Sequence, residues 1–160
     1  MAHTSKHHSL AYGAVPLAAD APTPLVTLRA RLDQFYGRVL GITYHALGDA
    51  ELAAQATEAV FLDAAALADE VALWTATIRV IKRYLARGFV VRPIVPITNE
   101  RHTELLHGLA RLEPLDRVLL LLRYHERLSM EALTQVHDCD DDALRKRIAT
   151  VRAQLAEHIC

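Results

Sequence analysis

Residues 109–155 read LARLEPLDRVLLLLRYHERLSMEALTQVHDCDDDALRKRIATVRAQL, and this stretch decides the fold. Pro114 stops one helix, and PLDRVLLLLRYHE, apolar almost all round, predicts a buried central helix over about 115–125. Ser129 is an N-cap residue with Glu131 close behind, opening a short helix to His137. The segment His137-Asp138-Cys139-Asp140 turns the chain. A last helix over about 141–158 then carries Leu144, Ile148, Val151 and Leu155 on one face. A short capped helix, a tight turn and a longer helix with a basic outer face form a helix-turn-helix pattern, which an ordinary helical hairpin also satisfies. In the former case Leu133 and Val136 pin the second helix through Leu144 and Ile148, and Arg145, Lys146, Arg147 and Arg152 are candidates for DNA contact.

Upstream, another helix spans about 105–112 within a unit that begins near Glu100. Residues 88–99, GFVVRPIVPITN, carry two prolines among β-branched residues and predict an extended linker. Before it, Leu25, Leu28, Leu32, Phe35, Val39, Ile42 and Ala46 recur at helical steps along one face. Gly48-Asp49 ends that helix and caps the next, predicted over about 50–67 with Leu52, Ala56, Ala59, Val60 and Ala64 inward. A break near Asp69 opens a third, to about residue 87, with Leu73, Trp74, Ile78, Ile81 and Leu85 inward. Its outward cations, Arg79, Lys82, Arg83 and Arg87, gather late, where they also suit the helix dipole. Residues 1–23 are read as a flexible tail with three prolines just before or at the first helix, and His3, His7 and His8 there as inert histidines.

Composition agrees with an all-α protein. Of 160 residues, 52 % are hydrophobic and only 6 % aromatic, which excludes the disorder signature and leans toward Ala- and Leu-rich helices. The net charge of −1 lacks the basic excess of a protein that coats nucleic acid unaided. Cys139 and Cys160 make no disulfide framework and no zinc pair, and reduced thiols fit a cytoplasmic setting. No apolar run suits a leader or a membrane span. Neither a phosphate loop, an HExxH helix nor a nucleophile elbow is present, so no enzyme and no cofactor is expected.

The 109–155 stretch resembles region 4 of extracytoplasmic-function (ECF) sigma factors through Leu112-x-Pro114, Arg117, the Leu119–Leu122 run, Arg123-Tyr124, Leu128-Ser129-x-Glu131, Leu144, Arg147, Arg152 and Leu155. Residues 44–65, YHALGDAELAAQATEAVFLDAA, are similar to sigma region 2. The resemblance covers about 130 residues and implies two small helical domains, 24–87 and 100–160, joined by the linker. It implies that Leu47, Asp49, Gln55, Thr57, Glu58 and Phe61 meet core RNA polymerase. Trp74, Arg79, Lys82, Arg83 and Tyr84 would meet the −10 promoter element, and Arg145, Lys146, Arg147 and Arg152 the −35 element. Core polymerase and promoter DNA are the partners it implies, with an anti-sigma factor or other regulatory protein besides. The chain departs from the family at Gln55 and Glu58, where an acidic residue and a Gln are usual, at His137-Asp138, in place of Leu-Gly, and at Asp140-Asp141-Asp142, whose carboxylates repel phosphates. These departures favour a second expectation, a sigma-like adaptor that binds a protein without reading DNA.

Overall fold

The computed structural model describes residues 24–88 and 100–159, and among these every regular element is helical, with no strand. The chain forms α1 (Pro24–Leu47), α2 (Ala50–Phe61), a 3₁₀ turn (Ala64–Leu67), α3 (Glu70–Ala86), α4 (Glu100–Arg111), α5 (Pro114–Leu120) with a π-helical turn (Leu121–His125), α6 (Met130–His137) and α7 (Asp141–Ile159). The all-α class read from the sequence is the class observed. The tail, its three histidines and residues 89–99 of the expected linker lie outside the described residues.

Local chemistry sets the breaks. Gly48 closes α1 at φ 71°, donating to the Tyr44 carbonyl, and Asp49 then caps α2 by accepting from the amides of Glu51 and Leu52. Asp63 does the same for the amide of Ala65, and Asp69 for that of Ala72. Asp63 accounts for one correction. The helix expected to reach residue 67 stops at Phe61, because the carboxylate caps a separate 3₁₀ turn, and Ala64, expected inward, is exposed. A second correction concerns Leu25, which is 78 % exposed: the first turn of α1 runs past the core, Leu28 and Leu32 pack on its edge, and full burial begins at Phe35.

The core does not divide at the expected linker. One cluster of buried side chains joins Phe35, Val39 and Ile42 of α1 and Trp74, Ile78 and Ile81 of α3 to Val118, Leu119 and Leu122 of α5, Leu133 and Val136 of α6, and Leu144 and Ile148 of α7. Helix α1 packs on α5, and α3 packs on α6. Polar contacts follow the same seam. Arg38 of α1 donates from Nε to Glu126 at 2.6 Å and from an Nη to Glu70 of α3 at 3.0 Å, with its guanidinium 4.7 Å from the Phe35 ring centre. The Trp74 indole N–H shares the Glu70 carboxylate at 3.3 Å.

Arg117 is the most demanding residue in this core. It is 1 % exposed and faces no carboxylate within ion-pair distance among the described residues. Its guanidinium instead donates to the carbonyls of Leu109, Ala110 and Leu112, at 2.7 to 2.9 Å, and to the carbonyl of His45 at the end of α1. Burial lowers its pKa from the ordinary value, with Glu113 acting in the opposite direction. Arg117→Met keeps the stem and removes every donor, leaving buried carbonyls unpaired. Urea unfolding should register a loss of about 3–5 kcal/mol, and Arg117→Lys should recover only part of it. A loss below about 1 kcal/mol would show that water satisfies these carbonyls.

Candidate nucleic-acid interface

Helices α6 and α7 are two capped helices joined by a short turn and packed on each other. Ser129 accepts from the amide of Ala132 at 3.1 Å and starts α6. The helix closes on Asp138 at φ 51°, ψ 54°, and the amide of Cys139 reaches back to the Thr134 carbonyl at 3.2 Å. Asp138 thus adopts the left-handed conformation that suits glycine, which Asp tolerates better than most residues. Asp140 then caps α7, accepting from the amide of Ala143 at 2.8 Å. Leu133, Val136, Leu144 and Ile148 are all buried and pin the two helices together.

The cations of α7 do not form one patch. Arg145, Lys146 and Arg147 are consecutive, so they spread over about 200° of the helix surface. Arg145 is tied to Asp141 at 2.6 Å, and that hydrogen bond and charge raise its pKa. Arg147 points toward α5, where its Nε meets Asp116 at 2.7 Å. Lys146 is exposed. Arg152, also exposed, stands beside Leu155 and Ala156 in the wall of an apolar cavity toward α4. Asp141 and Asp142 occupy the first turn, where the dipole favours them and where a phosphate would otherwise be drawn.

On α3 the residues assigned to a −10 contact separate by burial. Lys82 and Arg83 are exposed, as is Arg79, which pairs with Asp63 at 3.3 Å. Tyr84 is half-buried with the Arg87 guanidinium 5.9 Å from its ring centre, and Trp74 is wholly buried against the seam with the second half of the chain. The residues assigned to polymerase separate likewise. Gln55 and Glu58 are exposed, and Asp49 is the half-buried cap of α2. Leu47, Thr57 and Phe61 are buried, with the Thr57 hydroxyl 3.0 Å from that of Thr43 and 2.7 Å from the Ala53 carbonyl.

One residue of each cationic set converges on a group that the sequence marks only as a helix end, a polar cap or surface group, and a departure from the family pattern. His137, at the C-terminal end of α6, has a buried Nε2 with no hydrogen-bond partner among the described residues. Burial pushes its pKa down to about 4. Arg147 of α7 and Lys82 of α3 add to this, against a smaller opposing pull from Asp116 of α5. No local spacing signals such a group, because its neighbours come from three other helices. Among the described residues no cluster of His, Cys, Asp or Glu is placed to hold a metal ion, and no helix is long and apolar enough to cross a membrane.

No protein-family model matches this chain, and no curated protein is significantly similar to it.

Two outcomes follow from this geometry. Asp138→Gly should stabilise the fold by up to about 1 kcal/mol in chemical denaturation by relieving the left-handed strain, whereas Asp138→Val should destabilise it. His137 stays neutral in the fold down to about pH 4 but takes up a proton near pH 6.5 when unfolded. Its folded pKa is the lower one, so stability should decline as pH falls from about 6.5 to about 4. His137→Gln should flatten that part of a stability-versus-pH curve, and an unchanged slope would place the proton uptake elsewhere.

Proposed function

We propose that the protein is a non-enzymatic, sigma-type transcription initiation factor, a cytoplasmic subunit that joins core RNA polymerase to promoter DNA. The observation that carries this reading is the capped α6–turn–α7 unit with Arg145, Lys146 and Arg147 exposed in the first turns of its second helix. The sequence likeness of both halves to ECF sigma factors, in the family's order, supports it. In this role α7 enters the major groove of the −35 element, with its cations on phosphates and base edges. Arg79, Lys82 and Arg83 of α3 meet backbone phosphates near the −10 element, and Tyr84 stacks on an unpaired base. Gln55 and Glu58, on the outer face of α2, meet the polymerase. The near-neutral charge is consistent with polymerase supplying most of the electrostatic grip.

Engagement of Trp74 has a structural condition. Its ring is buried beside Arg38 and Glu70 at the seam between the halves, so a base can reach it only after α3 and α6 part. The described arrangement therefore corresponds to a resting form, and polymerase binding supplies the free energy for opening.

A second reading, a sigma-like adaptor that binds polymerase or a regulator without reading DNA, is favoured by the carboxylates at the start of α7. Two of the recognition cations are already committed to Asp141 and Asp116. The two readings differ in transcription by core polymerase on fragmented genomic DNA, followed by sequencing of transcript 5′ ends. A sigma factor yields start sites that share two spaced upstream elements, and an adaptor yields core binding alone.

Charge variants sharpen the test. Arg145→Glu and Lys146→Glu should each weaken promoter binding by the holoenzyme roughly tenfold, and Asp142→Asn should strengthen it, with affinity falling by a log–log salt slope of about −0.9 per phosphate contact. Indifference to all three would favour the adaptor.

A further inference from the structure

Helices α4 and α7 pack closely at Gly108, where an added Cβ would lie 3.0 Å from both Leu155 and Ile159 side-chain atoms. The helical run of α5 ends in a widened turn. The amide of Glu126 donates to the carbonyl of Leu121, five residues back, which is the π-helical geometry. Such turns displace side chains from the ordinary helical register and occur frequently at functional sites. Here the turn sets Leu121, Tyr124 and His125 around a cavity of about 730 Å³, partly open to solvent and walled on the other sides by α4 and α7. The Tyr124 ring stands at its edge, 54 % exposed. A volume of several hundred Å³ with mainly apolar walls and few polar groups has the form of a small-molecule site.

Among the described residues the charges of the wall are of one sign. Leu105, Leu106, Leu109 and Leu120 give the apolar surface, and Arg152, His45 and His125 are the ionisable groups besides Tyr124. Among the described residues no Asp or Glu lines the cavity. His125 lies 3.6 Å from Glu126, and that carboxylate is held in turn by Arg38. His45 has a buried Nδ1 with no partner among the described residues. Burial, then the charges of Arg117 and His125, lower its pKa, so it adds no full charge at neutral pH. Arg152 has no carboxylate partner among the described residues, unlike Arg145 and Arg147 on the same helix. An uncompensated guanidinium at the edge of an apolar cavity matches a ligand with one carboxylate and an apolar body. A neutral ligand leaves the cation unmatched, and a cationic one is repelled.

The geometry points to this cavity as a binding site for an acidic amphiphile, its chain among the leucines of α4 and α5 and its carboxylate on Arg152. This assignment does not depend on whether α7 reads DNA.

Three ten-carbon probes below their micelle concentrations test it against the full-length protein by isothermal titration calorimetry: decanoate, decan-1-ol and decyltrimethylammonium. Decanoate should bind one per chain, about tenfold or more tighter than decanol, and the ammonium should bind weakest. Arg152→Gln is exposed and should leave the circular dichroism spectrum unchanged while reducing decanoate to the affinity of decanol. Ala156→Trp, which fills the cavity from α7, should remove binding of both, and retained thermal unfolding cooperativity would show that the fold survives. Equal affinity for the three probes, no decanoate binding, or binding indifferent to both variants would overturn the site. Concentration-dependent dimerisation that decanoate does not reverse would assign the apolar surface to a second copy of the chain instead.

Discussion

The buried guanidinium of Arg117 is the constraint on which the arrangement of the halves depends. A helix leaves its last four carbonyls without intrahelical partners, and those ends carry partial negative charge. Several of the carbonyls at the ends of α1 and α4 are covered, where water cannot serve all of these groups. Arg117 serves both, bonding the carbonyls of Leu109, Ala110 and Leu112 on one side and that of His45 on the other. Its charge is met by dipoles, with Glu113 acting from beyond ion-pair distance, so the usual cost of a buried ion is offset by groups that would themselves be costly to bury unpaired. Only a planar fork with five donors reaches acceptors on two helix ends at once, which a lysine ammonium on its flexible stem cannot do.

Once α5 is fixed to the end of α1, the rest of the seam follows. The apolar run Val118–Leu122 meets Val39 and Ile42, and α6 is brought against α3. Arg38 adds a second tie, between the carboxylates of Glu70 and Glu126, and it sits over the rings of Phe35 and Trp74. Two unlike devices therefore close the same interface. Arg117 is wholly buried, whereas the Arg38 side chain is about one-third exposed and more open to competition from water and salt. A partner that separated the halves would displace the Arg38 contacts at modest cost, but would have to leave the Arg117 bonds intact or replace them.

Much of the local structure was legible in the sequence, since it is written in short-range chemistry. Gly48-Asp49, Pro114, Ser129 and the 137–140 turn each marked an element end, and the apolar periodicities located α1, α3, α5 and α7. What spacing could not reveal is contact between distant segments. Trp74 reads equally as a core residue or as an aromatic presented to DNA, and only the docking of α6 on α3 settles its burial. Arg117 stood out as part of a family-like pattern, yet nothing adjacent to it explains why an arginine belongs in an apolar run. The cavity was invisible for a related reason. Leu105, Leu121 and Leu155 look like ordinary core positions until the fold sets them around one cavity between α4, α5 and α7.

The candidate DNA-reading surface was the least legible element, because counting cations does not reveal their partners. Three basic residues in succession look like a patch, but a helix fans them apart, and the neighbouring aspartates claim two of them. Those pairs also shape what α7 could do. Arg145 and Asp141 are both exposed, so their pair is worth little in water and yields readily to a phosphate. Arg147 is different, since Asp116 is largely covered and its loss would leave a carboxylate short of a partner near His137. Of these three successive cations, Arg145 and Lys146 are therefore the ones that can exchange solvent or a weak intramolecular partner for a phosphate, while Arg147 acts first as a strut between α5 and α7. Any groove reading by α7 would have to proceed from its Arg145–Lys146 side, with the carboxylates of its first turn held away from the backbone.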